Sequence, residues 1–189
     1  GVAWRLWGIF RRPVKPDWAE PRGTADALRA ALEVLPRDAA EILVLSGDVP
    51  LVEAGLLVEL AAARRETSAA MALVTVEPDD PASLGRIVRD GQGRISRVVE
   101  ASDASLDVLA IGEINAGLYA FDVAWLRARI GDVAPSLVTG EFYLPELVPL
   151  ARADDRAVAT LEVEDDGTLL GINDRLQLAD AEVEMRLRI

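Results

Sequence analysis

Two short, almost wholly apolar runs do most to limit what this 189-residue chain can fold into. Ile42-Leu43-Val44-Leu45, closing at Ser46, and the run from Ala70 to Val76 lack the polar alternation of a half-solvated strand. Runs of this length suit strands covered on both faces, as in a parallel sheet. Gly47-Asp48-Val49-Pro50 ends the first one abruptly. Segments with helical spacing alternate with the runs. Ala27, Leu28, Ala31, Leu32 and Leu35 predict a helix over 24–35, with Thr24 as its N-cap and Pro36 as its stop. Residues 55–65, 123–130, 142–152 (with Pro145 in the first turn) and 173–188 (with Asn173 or Asp174 as N-cap) read as further helices. Residues 85–89 and 94–99 flank Asp90-Gly91-Gln92-Gly93, a hairpin signal, and 113–121 and 158–163 read as strands. The expected class is α/β, with a mixed, mostly parallel sheet flanked by helices. No internal repeat is visible.

Charge and side-chain inventory narrow the chemistry. The chain is 51% apolar with a net charge of −12, so it has material for a core and is a poor partner for nucleic acid or an anionic membrane. No stretch reaches the roughly 20 apolar residues of a membrane span. There is no Cys and no His. That excludes disulfides, thiolate nucleophiles and a Ser-His-Asp triad, and leaves hard, oxygen-ligated ions such as Mg²⁺ or Mn²⁺ as the natural metals. The first residues have another character. Trp4, Trp7 and Trp18 are three of the four tryptophans, and Lys15 is the only lysine. Arg5, Arg11, Arg12 and Lys15 face one carboxylate, Asp17. Residues 1–17 are expected to be an atypical leader, and 18–189 the domain proper.

Several residues could carry function. Asp48 follows a buried strand, where open α/β sheets place ligands and where a carboxylate can hold a divalent ion; a turn Asp bonding its own backbone is the rival. Gly23-Thr24 opens a helix and could approach a phosphate or ribose, or simply start the helix. Gly85 can be a turn, Glu100 a solvated strand end and Asn173 a helix cap. Asn115 before Gly117 can be a bulge. The pairs Asp79-Asp80, Asp154-Asp155 and Asp165-Asp166 read as solvated surface.

Taken in order, these segments resemble one family. Gly23-Thr24-Ala25, Leu45-Ser46-Gly47-Asp48-Val49-Pro50-Leu51, Gly85-Arg86-Ile87-Val88-Arg89, Val98-Val99-Glu100-Ala101-Ser102-Asp103-Ala104, Glu113-Ile114-Asn115-Ala116-Gly117-Leu118-Tyr119, Gly140-Glu141-Phe142-Tyr143-Leu144 and Gly171-Ile172-Asn173-Asp174-Arg175 are similar to motifs of the sugar-nucleotide uridylyltransferases. The likeness runs from about Trp18 to the C-terminus. It implies a Rossmann-like nucleotidyltransferase fold and transfer of a uridylyl group from UTP to N-acetylglucosamine 1-phosphate in the bacterial cytoplasm, for cell-wall precursors. It implies that Asp48 and Asn173 hold a catalytic Mg²⁺. Gly23, Thr24, Ser46 and Gly47 would contact the nucleotide, and Gly85, Glu100 and Asn115 the sugar. The family's glycine-rich phosphate loop and first strand have no counterpart in residues 1–17, so an incomplete form of the domain is expected. Trp18 stands where the family has a base-recognising Gln, Asp26 where it has His, Ser46 where it has Tyr and Ser102 where it has Lys. A non-catalytic sugar-phosphate or nucleotide-binding remnant, or a transferase for another sugar or base, therefore stand beside the first reading. Oligomeric state is not legible.

Overall fold

The structure, a computed structural model, describes residues 22–81, 83–169, 171–172 and 174–188. The expected leader at 1–17, Trp18 and Asn173 lie outside the described residues.

Six strands form one mixed sheet: β1 (Glu41–Leu45), β2 (Met71–Val76), β3 (Arg86–Arg89), β4 (Ile95–Val99), β5 (Ile114–Asp122) and β6 (Val158–Val163). β1, β2, β3 and β6 run one way; β4 and β5 run the other. The α/β class and the flanking helices are as expected. The pairing is less parallel than strand direction suggests, because β5 lies reversed in the middle. Only β2 and β6 pair in parallel, while β5 pairs antiparallel with β1, β2 and β3.

The α-helices among the described residues are α1 (Thr24–Val34), α2 (Ala54–Glu66), α3 (Leu106–Leu109), α4 (Val123–Arg129), α5 (Leu147–Ala153) and α6 (Arg175–Leu187). One sheet face, through Met71, Leu73, Ile87, Tyr119 and Phe121, packs on α1, α4 and α5. The other, through Ala72, Val74, Val76, Ile114 and Leu118, packs against Leu60 of α2 and Leu169. β2 is buried at every position, and a run that is apolar but for Thr75 reflects that double cover. β1 departs from expectation. Only Ile42 of this strand is buried, Leu45 is 37% exposed, and its outer edge has no partner strand among the described residues. An apolar run reports that a strand's faces suit a core; it does not report which edges are paired.

Local chemistry explains the element ends. Asp122 caps α4, accepting from the backbone N–H groups of Ala124 and Trp125. Asp174 and Gln177 form a reciprocal capping box on α6. Asp90 closes the β3–β4 hairpin by accepting from the N–H groups of Gln92 and Arg94 at 2.9 and 3.0 Å. The predicted helix over 142–152 begins later. Residues 144–146 form a 3₁₀ turn, and Tyr143 before it is extended. Asp154 is not simply solvated: it accepts from Trp125 Nε1 at 2.8 Å and pairs with Arg129 at 2.9 Å.

Candidate active site

The site is built around a discontinuity in β5. β1 occupies one edge of this strand from Leu118 to Asp122, and β3 meets the same edge at Ile114. Between them, residues 115–117 of β5 face a gap where no strand pairs among the described residues. On the opposite edge, Leu73 and Thr75 of β2 match Tyr119 and Asn115, so two steps of β2 oppose four of β5. That is a bulge, the alternative foreseen for Asn115 and Gly117. Gly117 takes φ +73°, and a Cβ there would run into the Ser46 hydroxyl.

The gap is closed by the chain ends around it. Ser46 N–H donates to the Gly117 carbonyl at 3.1 Å, and Ser46 Oγ–H reaches the same oxygen at 3.3 Å. On the far side Asn115 N–H donates to the Gly85 carbonyl at 2.9 Å. Glu100 lies over Gly85, with both carboxylate oxygens 3.4 Å from where a Cβ on that glycine would stand. Gly85, Glu100 and Asn115, widely spaced in sequence, are thus brought together. Asp48 is exposed in the turn after β1. Its backbone carbonyl accepts from Ile172 N–H at 2.8 Å, which draws the 171–172 segment up to the Asp48 turn.

Gly23 and Thr24 make a contact within the chain. The N-cap of α1 is Gly23 rather than Thr24. Phe142 N–H donates to the Arg22 carbonyl at 2.7 Å, and Ala25 N–H donates to the Phe142 carbonyl at 2.9 Å. Thr24 Oγ1 accepts from Leu144 N–H at 2.8 Å. Gly23 sits at φ 105° with Phe142 so close that a Cβ would lie 2.5 Å from the carbonyl oxygen. These two residues therefore clamp the start of α1 to residues 142–144. Arg22 also stacks on the Phe142 ring, 5.5 Å from its centroid.

The site is acidic around Glu100. Burial pushes the Glu100 carboxyl above its ordinary range, and the charges of Asp103 and Glu146 add to the effect. Glu146 is raised by burial and by Asp103, with Arg97 opposing. Tyr119 is buried beside Asn115, and burial holds its phenol protonated far above the ordinary tyrosine range. No regular spacing announced Tyr119, Asp103 or Glu146 as site residues. Tyr119 joins Asn115 only because the bulge shortens the strand between them. A separate acidic cleft of about 620 Å³ lies at the ends of β2 and β6, lined by Glu77, Asp79, Glu162, Glu164 and Asp165. Five carboxylates make it a poor seat for a phosphate-bearing ligand, so chemistry rather than cavity size places the site on β5.

A family profile described as "Nucleotidyl transferase" matches residues 15–166. The chain belongs to the nucleotidyl transferase family. It is 44% identical over 171 residues to the Bifunctional protein GlmU of Pelotomaculum thermopropionicum, covering 90% of this chain and 37% of that protein. It is 36% identical over 191 residues to the protein of that name from Mycobacterium avium, covering 94% of this chain and 39% of the relative. The chain thus spans well under half the length of these curated relatives. The fold is similar to a nucleoside-diphosphate-sugar pyrophosphorylase from Vibrio cholerae RC9, with a TM-score of 0.61 at 17% identity over 85% of this chain and 65% of that one. It is similar also to a CMP:2-keto-3-deoxy-manno-octonic acid synthetase complexed with CTP, with a TM-score of 0.61 at 16% identity over 87% of this chain and 68% of that one. Among the described residues no helix is long and apolar enough to cross a membrane.

Proposed function

We propose that this nucleotidyl transferase module transfers a uridylyl group from UTP to N-acetylglucosamine 1-phosphate, giving UDP-N-acetylglucosamine and pyrophosphate. The observation that carries the reading is the gap in β5, which gathers Gly85, Glu100 and Asn115 beside the Ser46–Asp48 turn. The similarity to GlmU proteins supports the choice of base and sugar. A sugar 1-phosphate oxygen forms the new P–O bond to the α-phosphorus of UTP, and pyrophosphate leaves. No protein nucleophile is required, which suits a chain without His or Cys. Asn115 and Glu100 orient the sugar by hydrogen bonds. Gly85 keeps the floor open, and the 46–47 backbone borders the nucleotide.

Among the described residues no three acidic side chains converge as a metal cage. Mg²⁺ does not need one: it is commonly held by one or two carboxylates with waters and substrate phosphates. The exposed Asp48, with Asn173 the next residue after Ile172 of the Asp48–Ile172 bond, fits that donor set in type. A bound Mg²⁺ would neutralise developing phosphate charge. We assign the reaction to the bacterial cytoplasm, in keeping with small soluble substrates of this kind.

The test is a pyrophosphate-release assay on this chain with UTP, N-acetylglucosamine 1-phosphate and Mg²⁺. The expected result is release that depends on all three and is abolished by Asp48→Ala. Equal release with CTP or ATP would overturn the choice of base. Sugar-phosphate binding without release would overturn catalysis in favour of a binding remnant.

A further inference from the structure

Asn115 and Tyr119 are four residues apart on β5. In a regular strand their Cα atoms would be about 13 Å apart, too far for their side chains to meet. The bulge at Gly117 brings them together, and Asn115 Nδ2 donates to the Tyr119 hydroxyl at 2.5 Å. The orientation of the amide follows from its other partner. Gly117 N–H donates to Asn115 Oδ1 at 3.2 Å, so the carbonyl oxygen must face Gly117 and the NH₂ must face Tyr119. Tyr119 is itself fixed: it is 4% exposed, and its ring stacks on Phe121 with centroids 5.8 Å apart. The amide is therefore held at both ends by groups that cannot move. Among the described residues, one of its N–H groups and one carbonyl lone pair keep no partner. Asn115 is only half-buried and borders the Gly85–Glu100 pocket.

We propose that Tyr119 is a positioning residue: its phenolic oxygen locks the Asn115 amide so that an adjacent donor and acceptor are offered to the pocket. A matched pair of this kind fits a ligand substituent that carries both an N–H and a carbonyl, an acylamino group, better than a lone hydroxyl. Released from Tyr119, the amide could rotate and would lose the preference without losing the pocket. This selectivity rests on the proposed sugar-phosphate function; the locking of the amide does not.

The experiment compares the wild type with Tyr119→Phe, which keeps the ring, its burial and its stacking. Calorimetric titration with N-acetylglucosamine 1-phosphate and with glucose 1-phosphate gives the two affinities. The expected result is a loss of about fivefold for the acylamino sugar, the worth of one ordinary hydrogen bond, with glucose 1-phosphate unchanged. In parallel, the Asn115 side-chain NH₂ signals, assigned by their disappearance in Asn115→Asp, should lose their distinct shifts in Tyr119→Phe. Equal losses on both ligands would mark a merely structural role and overturn the proposal, as would unchanged affinities. A wild type that binds neither sugar overturns the functional reading and the selectivity with it. The amide spectrum then decides the locking alone, and signals unmoved by Tyr119→Phe would overturn it.

Discussion

Gly23→Ala tests the clamp between α1 and residues 142–144. The glycine's backbone, φ 105° and ψ 175°, lies in a region essentially reserved for glycine, and a side chain there costs about 1–3 kcal/mol. A Cβ would also stand 2.5 Å from the Phe142 carbonyl oxygen and 2.7 Å from its nitrogen. Both are backbone atoms, so relief requires the two segments to part. Parting them breaks the Phe142-to-Arg22 and Ala25-to-Phe142 hydrogen bonds and loosens the Leu144-to-Thr24 bond. At about 1 kcal/mol each, the expected loss is about 3–5 kcal/mol, a large share of the roughly 5–15 kcal/mol that holds a domain together. For a chain of this size that corresponds to a fall in Tm of about 10 °C. Urea and thermal denaturation followed by circular dichroism measure it. Gly47→Ala is the control, since a Cβ there meets nothing within 4 Å, and it should stay within about 0.5 kcal/mol of wild type. A Gly23→Ala protein as stable as that control would refute the clamp and return Gly23 to a role in ligand contact alone.

Two further outcomes follow from buried polar groups. Thr75 is fully buried and, among the described residues, its hydroxyl has no hydrogen-bond partner, so Thr75→Val, of nearly the same shape, should stabilise the protein by about 1–2 kcal/mol in calorimetric melting. The raised carboxyl of Glu100 binds its proton more tightly folded than unfolded. Stability should therefore fall as pH rises from the unfolded glutamate value through the higher folded one, and Glu100→Gln should be more stable than wild type at pH 7 with the gap closing near pH 4.

How far the sequence carried this reading depended on the residue. β2 was legible because every one of its positions is buried and its side chains report that directly. β1 has a fully apolar run from Ile42 to Leu45, yet among the described residues it is an edge strand; edge and centre differ in backbone pairing, which side chains do not encode. The reversed β5 was visible as a strand, but its direction and its two partners on one edge are set by contacts remote in sequence. Gly85, Glu100 and Asn115 were recognisable by motif, and the fold brings them together. Thr24 was misread as a cap because its partner, Leu144, lies 120 residues away. Tyr119 stands in the Glu113–Tyr119 motif without an assigned role, since its meeting with Asn115 depends on a bulge that only Gly117 hints at.

The central place of β5 also bears on how the chain comes to be folded during synthesis. β1, β2 and β3 all precede the strand they pair with, and the Ser46–Gly117 bond spans 71 residues. Translation at about 5–20 residues per second leaves those strands without their common partner for several seconds. The run 42–45, apolar and of high β-propensity, is exposed throughout that wait. The sheet therefore assembles late, around one strand, and the candidate active site, made by the bulge in that strand, arises in the same step.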